Sequence, residues 1–291
     1  VAQIDKVRSF APVVPPPLSA GAVAPALAIS SGKGGVGKSH IALALGMAFA
    51  DQGRRVLLVD GDMGLANLHI LCGKHPEKDL SDVLAGRCTP SEALLSIEDR
   101  LDLLPAASGV ASLANLPREE VARLGRSLET LESEADLLVV DTGAGIGDTT
   151  LNLVLASDRL LLVTTPEPTA QTDAYALLKV LRARRPDFHA SIVVNMAESE
   201  EQAREVAFRI DQVAGRFLSL AVPFAGWIPR EGGLGTHMLS RVAAYRASPR
   251  GPFAQAVRSL ASSLARDLPR PGSASFLERV TTSAHFEGPS K

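Results

Sequence analysis

Residues 26–40, ALAISSGKGGVGKSH, place a short run of small and apolar residues directly ahead of a glycine-rich turn and an alanine-rich stretch that begins at Lys38. Residues 32–39 fit G-x-x-x-x-G-K-S. At that spacing the glycines let backbone N–H groups face a row of phosphates, and the helix that follows adds the positive end of its dipole. Lys38 is expected to contact the β and γ phosphates, and the Ser39 hydroxyl to coordinate Mg²⁺. Gly32, Gly34, Gly35, Val36, Gly37, Lys38, Ser39 and His40 are thus the candidate residues around a nucleotide. Lys33 is one lysine more than such a cradle needs.

A phosphate loop between strand and helix implies a fold class, and the rest of the chain agrees with it. Short runs apolar on both faces recur at 26–30, 55–60, 101–105, 135–141, 159–165, 190–195 and 223–229. Strands of that kind lie between layers of helices in a mostly parallel sheet. Helical candidates fall between them, near 38–52, 118–133, 148–156, 170–184, 199–216 and 234–244, and a further amphipathic helix follows Pro252. The expected fold is a doubly wound α/β domain of about seven to eight strands over 26–268. Residues 1–25 are expected to form a flexible segment with a Pro/Ala-rich tether. Residues 269–291 are expected to form a flexible tail in which Phe276, Leu277 and Val280 share the apolar face of a short helix.

Nucleotide hydrolysis also needs carboxylates at strand ends, near the metal and the attacking water. Asp141 closes LLVVD and has the position of a Mg²⁺-holding carboxylate, with the glycine-rich TGAGIG behind it suited to sensing a γ-phosphate. Asp60 and Asp62 end another apolar run in VLLVDGDMGLAN; one of the two is placed to position a water, the other to stabilise the loop.

These motifs carry a resemblance. KGGVGKS resembles the deviant phosphate loop of the MinD/ParA class of P-loop ATPases, in which the early lysine is the signature residue. The stretches DGDMGLANLHILCG, LSDVLAG, LPAASGVASLANL, VVDTGAGIG and IVVNM are similar, in the same order, to the flagellar MinD-like branch, FlhG and FleN. The resemblance spans roughly residues 27–268. It implies an ATPase with ATP and Mg²⁺ as ligands, in which Lys33 reaches the nucleotide of a second subunit and an ATP-dependent homodimer forms. Asp62 becomes the water-positioning aspartate of the first switch and Asp141 the aspartate of the second, both close to the metal with Ser39. Asn195 reads the adenine, with Pro229, Arg230 and Glu231 as the other wall of its pocket. The implied outputs are stimulation of the flagellar GTPase FlhF, restraint of a flagellar transcription regulator, contact with basal-body proteins, and weak attachment to the inner membrane surface from the cytoplasm.

Composition sets limits. A net charge of −2 and a pI near 6.3 give no general basic field, so nucleic acid is not favoured as the partner. The rival DNA-partition reading would have to build a basic patch from Arg182, Arg184, Arg185, Arg241, Arg246 and Arg250. Cys72 and Cys88 show no CxxC and no zinc spacing, which argues against an iron–sulfur carrier and for a reducing cytoplasm. No stretch approaches the roughly 18 apolar residues of a membrane span.

Overall fold

The computed structural model describes residues 23–62, 68–105, 129–231, 243–269, 272 and 274–283. Its centre is β1 (Ala26–Ser31), every residue of which is buried. Alternate side chains of β1 enter opposite layers. Leu27 and Ile29 join the core beneath α1 (Lys38–Asp51), while Ala28 joins the core on the other face. That is why the run is apolar throughout rather than alternating.

The eight-stranded sheet has the order β3-β4-β2-β5-β1-β6-β7-β8. Its members are β2 (Val56–Gly61), β3 (Leu95–Glu98), β4 (Leu101–Pro105), β5 (Leu137–Ala144), β6 (Arg159–Thr164), β7 (Ala190–Ala197) and β8 (Phe224–Pro229). Every pairing is parallel except β3 with β4. The antiparallel β3 has no counterpart among the runs read from the sequence. It is a four-residue edge strand with exposed and half-buried positions, so it carries no apolar run to notice. The mostly parallel, doubly wound sheet itself is as expected.

Two short helices, α2 (Leu68–Leu71) and α3 (Leu80–Leu84), follow β2. Helices α4 (Asp148–Ala156), α5 (Pro168–Arg184) and α6 (Glu200–Leu218) cover one face, and α7 (Ala244–Ala247) and α8 (Pro252–Asp267) lie against α1 on the other. Residues 129–134 are helical and agree with the end of the helix expected near 118–133. Most of the helix expected near 234–244, with Arg241, lies outside the described residues. Tyr245 donates to Asp51 at 2.8 Å and Arg246 pairs with Asp51 and Glu98, which fastens α7 to the end of α1 and to β3.

Two expectations are corrected in detail. Asp141 does not end its strand: β5 continues to Ala144, because Gly61 and Thr142 remain in register and Ser31 pairs with Ala144 past a bulge. The described part of the C-terminal segment is packed. Phe276 and Val280 of α9 (Phe276–Ser283) are buried against α4 and the strand ends, as are Val23 and Ala24 ahead of β1. Residues 1–22 and 284–291 lie outside the described residues.

Candidate active site

The sequence candidates converge at the carboxyl ends of the central strands, where an open parallel sheet leaves a crevice. β1 delivers the glycine loop, β2 delivers Asp60 and Asp62, β5 delivers Asp141, and β7 delivers Asn195. Gly37 precedes α1 with φ of +91°, and Gly35 has φ of +79°, left-handed conformations that favour glycine. Gly32 is glycine for another reason: a Cβ there would lie 2.1 Å from backbone atoms of Asp173 in α5. The loop is therefore wedged against a helix of the neighbouring layer.

Lys38 is 6% exposed at the first turn of α1, beside the loop amides. Ser39 hydrogen-bonds to Asp141, and Lys38 acts on Asp141 through its charge. Burial nevertheless pushes the Asp141 carboxyl up to about 7, outweighing both of those partners. Its Oδ1 is buried without a hydrogen-bond partner among the described residues. A buried carboxylate oxygen beside a serine hydroxyl is the donor set a magnesium ion takes, directly or through water, so Ser39 and Asp141 fit the expected metal.

Asp60 pairs in register with Asp141 on the adjacent strand. Burial pushes its carboxyl up to about 6. It accepts from the Asp62 amide at 3.4 Å and from the Leu68 amide at 3.3 Å, and so pins both ends of the segment that leaves β2. The two acids are thereby distinguished: Asp60 stabilises the loop, and Asp62 is the more exposed partner. A Cβ placed on Gly143 would come 3.5 Å from Asp62 Oδ1, so the first acidic segment lies beside the glycine-rich one after β5. That second segment is tied to β1 by Gly145 N–H donating to the Ser31 carbonyl at 2.8 Å.

Lys33 does not point into its own loop. Its Nζ is 2.6 Å from Glu167 Oε1 and 2.7 Å from Thr169 Oγ1, at the start of α5. The sequence reading passed over Glu167 and Thr169; the signal was present, since Glu167 lies just beyond β6, at the same end of the sheet as the other candidates.

Asn195 sits differently from its expected role. It is 4% exposed; its Nδ2 donates to the Val36 carbonyl at 2.8 Å, and its Oδ1 accepts from the Met196 amide at 2.9 Å. It braces the phosphate loop from behind, and a Cβ on Gly37 would meet Nδ2 at 2.4 Å. Glu231 is also engaged elsewhere: its Oε1 accepts from the Phe253 amide at 2.9 Å, in the first turn of α8. Pro229 ends β8, and the Arg230 amide bonds to the Ala197 carbonyl. His40 is half-buried behind Ser39, and desolvation lowers its pKa, which favours the neutral ring.

The arginines that a DNA surface would require are largely spent within the fold. Arg182 donates to the Leu218 and Ser219 carbonyls, Arg184 pairs with Asp148, Arg185 donates to the Leu155 and Ser157 carbonyls, and Arg246 holds Asp51 and Glu98. Cys72 and Cys88 are both free thiols, and burial pushes Cys72 up to about 12, away from the thiolate a cluster ligand must be. Among the described residues no three or more His, Cys, Asp or Glu side chains gather as an all-protein metal cluster. Nor is any helix among them long and apolar enough to cross a membrane.

Comparison with known proteins agrees with this geometry. Residues 22–265 match the ParA family, described as NUBPL iron-transfer P-loop NTPase. The chain is 38% identical over 235 residues to the antiactivator FleN of Pseudomonas aeruginosa, covering 81% of this chain and 84% of that one. It is 34% identical to the flagellum site-determining protein YlxH of Helicobacter pylori, covering 87% and 88% respectively. The MinC:MinD cell division complex of Aquifex aeolicus superposes with a TM-score of 0.68 at 27% identity, covering 86% of this chain and all of that one. MinD of Pyrococcus horikoshii complexed with Mg-ADP gives 0.66 at 26%, covering 83% and 96%.

Proposed function

The chain belongs to the ParA family of P-loop ATPases, in its FleN and YlxH (FlhG) branch, and from that premise we propose that it is a switch whose assembled state is an ATP-bound homodimer. It is an ATPase that regulates flagellar number and placement. The observation that supports the switch is the division of labour between two lysines on one loop. Lys38 is buried at the start of α1, whereas Lys33 projects away to the start of α5.

In this reading the loop amides and Lys38 hold the phosphates of ATP, and Ser39 and Asp141 would hold Mg²⁺, which would supply charge screening at the phosphates. Asp62 orients the attacking water beside Gly143, with Asp60 fixing the segment from which it projects. Lys33 leaves Glu167 and offsets phosphate charge in the partner's site. It can do so only in the dimer, so nucleotide binding and assembly reinforce one another reciprocally. Hydrolysis is slow and regulatory. Asn195, Pro229, Arg230 and Glu231 flank the base side, with Asn195 acting through the loop.

The proposed outputs are contact with the flagellar GTPase FlhF, with a flagellar transcription regulator and with basal-body proteins. The proposed location is the cytoplasm, with reversible weak attachment to the inner membrane surface. Because Phe276 and Val280 are buried, such attachment would require α9 to leave its place. Partition on DNA is not favoured, given where the arginines are spent.

Lys33→Ala and Lys38→Ala separate the roles. Lys38→Ala should abolish ATP binding. Lys33→Ala should retain binding of ATP to the monomer while losing the ATP-dependent doubling of mass in light scattering. A Lys33→Ala protein that still dimerises with ATP would refute the switch as drawn.

A further inference from the structure

Both ends of the described chain meet at one place, on the side of the sheet opposite the nucleotide crevice. Val23 and Gly272 exchange both backbone hydrogen bonds, Val23 N–H to the Gly272 carbonyl at 2.8 Å and Gly272 N–H to the Val23 carbonyl at 3.2 Å. One residue further on, the Ala24 amide donates to the Glu132 carbonyl. Glu132 is fully buried, and its carboxylate turns to the other terminus, where Oε1 accepts from Ser275 Oγ and Oε2 from the Phe276 amide, each at 2.9 Å. A single buried residue thus holds the N-terminal strand through its main chain and the start of α9 through its side chain.

A second link lies one turn along the helix. Arg279 donates to the Ala156 carbonyl at 2.6 Å and to Asp158 Oδ2 at 3.1 Å. The same Oδ2 accepts from the Ala26 amide at 2.8 Å, the first residue of β1. Phe276 and Val280 complete the cluster by packing with Ala24 and Ala26.

We propose that α9 and the N-terminal segment that precedes β1 form one cooperative unit, so that undocking α9 releases the root of the N-terminal segment, and loosening that root releases α9. Buried polar groups that share partners stand or fall together. When α9 departs, Glu132 loses the Phe276 amide and Asp158 loses Arg279, and the Gly272 backbone that bridges Val23 loses the helix that anchors it four residues on. The consequence is a coupling between distant stretches of sequence: whatever draws α9 away from its apolar cluster also loosens Val23 and Ala24 ahead of β1. This inference rests on the packing alone and stands apart from the nucleotide reading.

Hydrogen exchange with mass spectrometry on the full chain tests it. Phe276→Ser should accelerate exchange of the α9 amides by tenfold or more and accelerate the Val23–Ala26 amides by a matching factor, while the β5 amides Leu138–Val140 stay protected. From the other end, Val23→Pro removes one bridge donor and should accelerate the α9 amides. Glu132→Gln removes the charge and leaves one accepting oxygen where two now serve Ser275 and Phe276; it provides a milder variant should Phe276→Ser fail to fold, and should accelerate the amides of α9 and Val23–Ala26 together. Acceleration confined to the mutated terminus, in either direction, would overturn the coupling; so would loss of protection at β5 in parallel with the termini in all three variants, which would mean global unfolding.

Discussion

Lys33 is surplus to the nucleotide site of its own chain, and Glu167 and Thr169 hold it at the start of α5. Both partners are open to solvent, so the pair holds the lysine only weakly and does not prevent its departure. Glu167→Gln should therefore raise the ATP-dependent dimer fraction, with a severalfold fall in dimer Kd by analytical ultracentrifugation; a weaker dimer would mean that Glu167 supports the assembled state instead. Asp141 offers a second test. An acid whose folded pKa is raised binds its proton more tightly in the native state than in the unfolded one, so its contribution to stability is greatest at low pH and is lost as pH rises from about 4 to about 7. Asp60 acts in the same sense up to about 6. The half-buried His40, whose pKa desolvation lowers, acts in the opposite sense below its ordinary pKa, so the comparison must be between variants. Asp141→Asn should raise the Tm of nucleotide-free protein by about 5 °C at pH 8 and by little at pH 5. A difference that does not vary with pH would refute the account. None of this was legible from spacing, because a pKa depends on burial by residues far away in sequence.

At the scale of elements, the central strands and their helices were legible because each is apolar on a period its geometry imposes. β3 was not, and neither were α2 and α3, which are four and five residues long. The reading of Asn195 as a base contact failed to anticipate its burial against the phosphate loop: an asparagine at a strand end looks the same whether it faces the ligand or the loop. The two roles give different chemistry. Asn195→Ala would leave the buried Val36 carbonyl without its donor, a loss of about 1–3 kcal/mol. Affinity for ATP and GTP should therefore fall together, by about tenfold in nucleotide titration. A selective loss of ATP would restore the asparagine to the base. Gly32→Ala tests the wedge between loop and α5. A methyl group 2.1 Å from the Asp173 backbone must displace one element or the other, and the Tm should fall by several degrees together with nucleotide binding. An alanine variant with unchanged melting and binding would show that the loop has slack there.

The whole molecule is a frame that brings strands from distant parts of the sequence to one crevice, and a parallel order is what makes that possible. Every nucleotide candidate lies at the same end of the sheet, while the joined termini lie at the other. The placement of the crevice could be foreseen from the strand–loop–helix motif, but the joining of the termini could not, since it rests on single hydrogen bonds between stretches of weak pattern. One property of the crevice reaches beyond the protein. Two neighbouring strands carry Asp60 and Asp141 side by side in register, both raised toward neutrality by burial. If Mg²⁺ enters beside them as proposed, it would displace the protons they retain, and loading with Mg²⁺ and ATP would also be an acid release. Calorimetry near pH 6.5 in buffers of different ionisation enthalpy should show up to about one proton expelled per site, falling away above pH 8. On the proposed reading, readiness to load nucleotide would then follow the proton activity around the protein as well as the supply of ATP.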